Sequence, residues 1–258
     1  QFNTLRAITG LNLLKKEAAS TNQSLYLGAE GSFTRGYFDS PQDFSRFNGL
    51  LKYHGQVSKK STLTALLSGL SSKWNASGQI PDRAVADGTI GFYGAIDDKE
   101  GGNTSRYNAS AELLTRLGNG STLRNQLFYS RYNFELYSNF TFFKEDPVNG
   151  DQIRQKEGRN IFGYNLNWQQ DHHLGCKKAQ FSSGLQVRYD DINNIELSRT
   201  KNRTEVTDAI MLGNINELNT ALFAQERLFL NNRWDLTAGI RADQFTNQYE
   251  DLLNSNTR

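Results

Sequence analysis

Only one cysteine and three prolines occur in 258 residues. A lone Cys176 excludes an internal disulfide and leaves the redox compartment open. Long apolar runs are missing as well. The longest, around Ile90 to Ile96, is interrupted by glycines and falls far short of the roughly 20 residues that a membrane-spanning helix needs. No block of one charge exists, because 29 basic and 27 acidic residues are scattered to a formal charge of +2. Nothing can therefore track a phosphate backbone, and nucleic acid is not expected as a partner. The opening Gln1-Phe2-Asn3-Thr4-Leu5-Arg6 lacks the basic-then-apolar pattern of a signal peptide. Because it starts inside an alternating segment, the chain reads as a piece of a longer protein.

What is present is glycine (22 residues), aromatics (12%) and a mean hydropathy of −0.64. That mixture is too aromatic for disorder and too polar for membrane helices. The governing signal is a period of two. Ala179, Phe181, Ser183, Leu185, Val187 and Tyr189 alternate with Gln180, Ser182, Gly184, Gln186 and Arg188, giving one oily and one wet face. The pattern recurs from Trp234 to Ala242, from Ile161 to Trp168 and from Arg106 to Leu117.

About ten such segments are counted, near residues 3–14, 23–38, 44–57, 61–74, 104–117, 121–143, 156–170, 178–198, 204–229 and 233–248. Each supplies the roughly 9 to 11 residues that a tilted strand needs to cross hydrocarbon. Short links at Ser58-Lys59-Lys60-Ser61, Gly118-Asn119-Gly120-Ser121 and Asn231-Asn232 alternate with long ones at 75–103, 144–155 and 190–203. Outer-membrane barrels sort their connections this way, with short periplasmic turns and long outer loops. The link at 38–43 is short for an outer loop. The fold expected is all-β, a transmembrane antiparallel up-and-down β-barrel. In lipid every backbone group must be paired, so the oily face looks outward while Arg106, Glu112, Gln186, Arg188 and Arg241 line a polar lumen. Tyr37, Tyr107, Trp168, Tyr189 and Trp234, near strand ends, suit interfacial girdles.

The stretch WNASGQIPDRAVADGTIGFYGAIDDKEGGNTSRYN (74–108) resembles the barrel of TonB-dependent receptors of the bacterial outer membrane. So do SNFTFFKEDPVNGDQIRQ (138–155), GYNLNW followed by FSSGLQVRYDD, and LFAQERLFLNNRWDLTAGIRAD (222–243). The resemblance implies a plugged barrel of about 22 strands, in which residues 1–258 form part of the wall. The plug domain, its TonB box and the C-terminal strands are then expected elsewhere. It further implies the Gram-negative cell outer membrane as location, with its lipid bilayer, the TonB complex and a small-molecule or metal-chelate ligand as partners.

Ligand-binding candidates are Arg83, Asp97 and Asp98 in the long loop and Arg106 on the lumen face. Against this stands an ordinary solvated loop, because loops carry charge by default. Glu145 to Asp151 has oxygens for calcium but not the ligand spacing of a helix–loop–helix calcium site, so a turn at Pro147 and Asn149-Gly150 is favoured. His172, His173 and Cys176 lack a fourth ligand. His54 reads as a lumen-facing polar residue, and the Asn-X-Ser/Thr sequons at Asn75, Asn108, Asn139 and Asn202 carry no weight in a bacterial membrane protein. No GxxxxGKS, HExxH or nucleophile elbow occurs, and the neighbouring Asp190 and Asp191 point to opposite faces if the strand continues through them. An enzyme is not expected, and no cofactor is indicated.

The function expected is TonB-coupled uptake of a scarce nutrient, most simply a metal chelate such as an iron–siderophore complex, since the loops show few aromatic platforms for stacking on sugars. A passive porin, or less plausibly a soluble β-rich binding module, would share the strand pattern.

Overall fold

The computed structural model of the chain describes residues 2–14 and 22–254. Ten antiparallel strands follow one another through a single sheet: β1 (Leu5–Asn12), β2 (Gln23–Thr34), β3 (Phe44–Gln56), β4 (Ser61–Ala76), β5 (Glu100–Arg116), β6 (Ser121–Ser138), β7 (Ile153–Leu174), β8 (Lys177–Lys201), β9 (Glu205–Phe229) and β10 (Asp235–Asp251). Each pairs with its sequence neighbours, leaving β1 and β10 at the two ends of an open meander. Among the described residues a single helix occurs, α1 (Asp82–Ala86), inside the β4–β5 link.

All ten expected segments are strands, and period two is the reason. In the apolar row Leu27, Leu51, Leu67, Ala109, Tyr129, Phe162 and Tyr189, each residue is the cross-strand partner of the next. Nearer the short turns, Leu166, Leu185, Leu222 and Ala242 form a second row. Three residues from the first row along each strand, and so on the opposite face, the partners His54, Thr64, Glu112, Gln126, Asn165 and Gln186 make a polar row across six strands. That face is knitted by side chains: His54 Nδ1 lies 2.8 Å from Thr64 Oγ1, and Asn165 Nδ2 donates to Gln126 Oε1 at 2.9 Å.

No second layer covers the oily face. Leu67, Leu127, Leu222 and Ile240 are 54%, 61%, 62% and 77% exposed, although burying a side chain of this size is worth roughly 1.5–3 kcal/mol. A sheet that leaves a whole row of such groups uncovered requires hydrocarbon against it. Trp168, edge-to-face with Phe181 at 5.8 Å, and Trp234 sit toward the short-turn end of this band. Tyr107 and Tyr189 mark its other end, as girdles require. Tyr37, expected in the girdle, lies instead in the 35–43 link.

At one end four links are brief, at residues 57–60, 117–120, 175–176 and 230–234, and the β1–β2 link there spans 13–22. At the other end they span 35–43, 77–99 and 139–152. The expected long link at 190–203 is corrected. β8 continues to Lys201 and turns through three residues into β9. Residues 190–201 carry polar groups on both faces, which resembles a loop but equally suits a hairpin that has left the bilayer and stands in water. Register shifts between Ile192 and Ile195, Leu197 and Ser198, and Arg199 and Thr200 bend this extension, as bulges do.

Candidate functional site

A group of strongly buried polar side chains lies beyond the apolar band, at the long-loop end. Asn139, Gln152, Ser198, Thr200 and Glu100 are each 5% exposed or less. All but Ser198, which donates to Glu196 Oε1, belong to one network. Asp97 Oδ2 accepts from Asn139 Nδ2 at 2.9 Å and from Gln152 Nε2 at 3.1 Å, and Asp97 Oδ1 accepts the Lys99 amide at 2.8 Å. Gln152 Oε1 in turn accepts from Thr200 Oγ1 at 3.2 Å and from the Arg203 amide at 3.0 Å. The Arg203 guanidinium donates to the carbonyls of Lys99 and Glu100 and, at 3.0 Å, to Asn75 Oδ1, while lying 5.7 Å from the Tyr137 ring centre. Links 77–99 and 139–152 and the β8–β9 tip therefore meet at one point.

Glu100 is the exception within this network, because its Oε1 is buried without a partner. Burial, then the Asp97 charge, pushes its carboxyl up to about 7, against the opposing pull of the Asn139 amide and Arg203. The group lies well before Tyr107 on β5, outside the apolar band.

A second cluster joins the 35–43 and 77–99 links. Tyr37 stacks on Phe38 at 4.5 Å and meets Tyr93 edge-on at 5.5 Å, Phe92 meets Tyr93 at 5.1 Å, and Phe2 meets Tyr37 at 5.8 Å. Phe2, Tyr37, Phe92 and Tyr93 are about half exposed or more. The expectation of few aromatic platforms is thus corrected: the rings are scattered in sequence, and only the folded links gather them.

The four candidates do not converge. Arg83 is exposed on α1, and Asp98 is exposed and paired with Lys99 Nζ at 2.9 Å. Asp97 lies within the buried network. Arg106 is on the polar face of β5, 5.8 Å from the Tyr132 ring centre. Further along that face Asp190, almost wholly buried, accepts from Arg188 at 2.6 and 2.7 Å and from Arg159 at 3.2 Å. Asp191 points the other way, to Asn160 at 3.2 Å and Asn193 at 2.9 Å. The loop carboxylates considered for calcium organise their own turn. Asp151 accepts the amides of Lys144, Glu145 and Asp146, and Asp146 those of Val148 and Asn149. His172 Nε2 faces Glu226 Oε1 at 3.3 Å, and Cys176 is exposed in the β7–β8 turn.

A meander with one lipid-ready face, one polar face and links sorted by length restricts the choice of family, and comparison of the sequence with family models decides it. Residues 18–258 match the model described as TonB dependent receptor-like, beta-barrel. The chain belongs to this TonB-dependent receptor family. Its members are outer-membrane receptors, so the apolar band of this receptor wall meets the hydrocarbon of the outer membrane of a Gram-negative bacterium.

Solved structures agree on the fold. The unliganded ferric citrate transporter FecA superposes with a TM-score of 0.79 at 11% identity, covering 97% of this chain and 36% of that one. The ferripyoverdine receptor of the outer membrane of Pseudomonas aeruginosa, bound to ferripyoverdine, gives 0.73 at 9% identity, covering 97% and 36%. BauA, the ferric preacinetobactin receptor from Acinetobacter baumannii, gives 0.71 at 8% identity, covering 98% and 42%. The receptor wall described here therefore spans between about a third and two fifths of the length of these proteins. No curated protein matches the sequence.

Proposed function

We propose that the full receptor imports a metal chelate, such as an iron–siderophore complex, across the outer membrane, with energy delivered through the TonB complex. The reading rests on one observation above all: the polar row from His54 to Gln186 runs behind an apolar lipid band in a chain of the TonB-dependent receptor family. Such a wall encloses an aqueous path. The structural relatives named for ferric citrate, ferripyoverdine and ferric preacinetobactin support a ferric chelate as the cargo. In this proposal the ligand first meets the loop bearing Arg83, Asp97 and Asp98 and then passes Arg106 on the lumen wall. A plug domain and the remaining strands complete the barrel, and the protein's task is transport without catalysis.

The test is uptake of radioactive iron chelates by iron-starved Gram-negative cells whose only such receptor is the full-length protein. Uptake that stops with a protonophore or on loss of TonB is the expected result. Uptake indifferent to both identifies a passive pore. The aromatic cluster of Phe2, Tyr37, Phe38, Phe92 and Tyr93 favours a second cargo, an oligosaccharide, whose ring faces stack on such platforms. Uptake of labelled oligosaccharides with no response to iron chelates selects that reading.

A further inference from the structure

The β8–β9 hairpin does not simply rise from the sheet. Asn75, Gly101, Tyr137, Arg154 and Ser198 are successive partners across β4 to β8. By alternation they share the face that carries Leu67 and Tyr129 lower down. Arg203, at the hairpin tip, reaches back along this row, over β7 and β6, to Asn75 on β4. Asn202 and Arg203 both adopt left-handed conformations, with φ of 54° and 61°, as the two central residues of a type I′ hairpin turn closed by the Thr204 amide on the Lys201 carbonyl. Beneath the guanidinium stands Gly101, with φ of 133°, where a Cβ would lie 2.6 Å from Arg203 Nη2 and would also collide with the Trp74 carbonyl.

We infer that the β8–β9 tip is a strap, fastened by Arg203 and Gln152, that makes the 77–99 link, the 139–152 link and the hairpin open and close as one body. Gln152 is the central knot, holding Lys99 and Asp97 with its amide nitrogen and Thr200 and Arg203 with its amide oxygen. Outside the knot, Lys201 Nζ adds a clasp to Asn149 Oδ1 at 2.7 Å. The free energy of opening is thus shared. No one of the three segments can leave without breaking bonds of the other two, and such groups open cooperatively. A ligand that displaces the 77–99 link must carry the other two segments with it.

Three amides report on the three segments: Lys99, bonded to Asp97; Phe142, bonded to Asn139; and Thr200, bonded to the Gln152 carbonyl. Hydrogen exchange is measured on the full-length receptor in lipid nanodiscs, with no ligand, so that the result is independent of which cargo is carried. In Arg203→Ala all three amides are expected to exchange faster together, by about tenfold or more, while the Tyr129 amide in the band keeps its rate. Gln152→Ala is expected to release the same three. The strap is overturned if Arg203→Ala quickens exchange only at the tip, or if Gln152→Ala frees Phe142 while Lys99 stays protected. A preserved Tyr129 rate separates either result from general unfolding.

Discussion

A carboxyl that is almost wholly buried, with one oxygen unpartnered and Asp97 beside it, favours the neutral form. The charged groups acting on Glu100 are Asp97 from the preceding link and Arg203 from the hairpin tip, and Arg203 is in turn faced by Asp97, Asp98 and Tyr137. Asp97 opposes its ionisation, and Arg203 offsets that only in part. Because the carboxyl is raised from 4.5 to about 7 in the folded network, the folded form holds a proton that the opened form releases earlier. Its stabilisation is complete below about 4.5 and is lost as pH rises through about 7. Protection at Lys99, Phe142 and Thr200, taken relative to the intrinsic exchange rate at each pH, should accordingly fall between those limits, and Glu100→Gln should flatten that profile. An unchanged profile in Glu100→Gln would assign the dependence to another group. At the adjacent position, Gly101→Ala meets both a forbidden φ and the Trp74 carbonyl, at a cost of about 1–3 kcal/mol. A lower melting temperature of the full receptor checks this, and an unchanged one rejects the strained, crowded backbone at Gly101.

Among the strands, the test of facing is a pair of adjacent residues. Leu185 lies in the apolar row with Leu166 and Leu222, and Gln186 accepts from Arg241 Nη1 at 2.8 Å on the polar face. Leu185→Arg should destabilise the barrel by about 2–4 kcal/mol at mid-bilayer. Gln186→Glu retains an acceptor for Arg241 and should change stability by less than about 1 kcal/mol. Unfolding in denaturant from lipid vesicles measures both, and equal effects would reverse the assignment of the faces. These facings were legible in the sequence because burial by lipid imposes strict alternation, and no tertiary partner blurs it. Where the strands leave the membrane that constraint ends. Residues 190–201 are polar on both faces, so their pattern matches a loop as well as a paired strand. The knot was hidden for a different reason: Asn75, Lys99, Gln152 and Arg203 are far apart in sequence, and nothing local marks Arg203 as more than a turn residue. Arg83, Asp97, Asp98 and Arg106 stood out by charge alone, which does not reveal that Asp97 already holds Asn139 and Gln152.

For the molecule as a whole, the two ends of the meander decide what the chain can do by itself. β10 is a 17-residue strand bonded to β9 along one side, and β1 is bonded to β2 along one side. Within hydrocarbon each unpaired backbone group costs several kcal/mol. An open edge of this length therefore cannot persist in a bilayer while its face demands one. The apolar band calls for lipid, the edges forbid it, and further strands joining β1 to β10 would resolve the conflict. The isolated 258-residue chain should consequently enter vesicles as aggregates or mixed oligomers, without the resistance to detergent unfolding of a closed barrel, whereas the full-length receptor should show it. Gel mobility with and without boiling, together with strand content by circular dichroism, distinguishes the two. A monomeric, heat-modifiable species formed by the isolated chain would mean that β1 and β10 find each other. The wall would then close at ten strands, with a bore too narrow for a plug or a chelate.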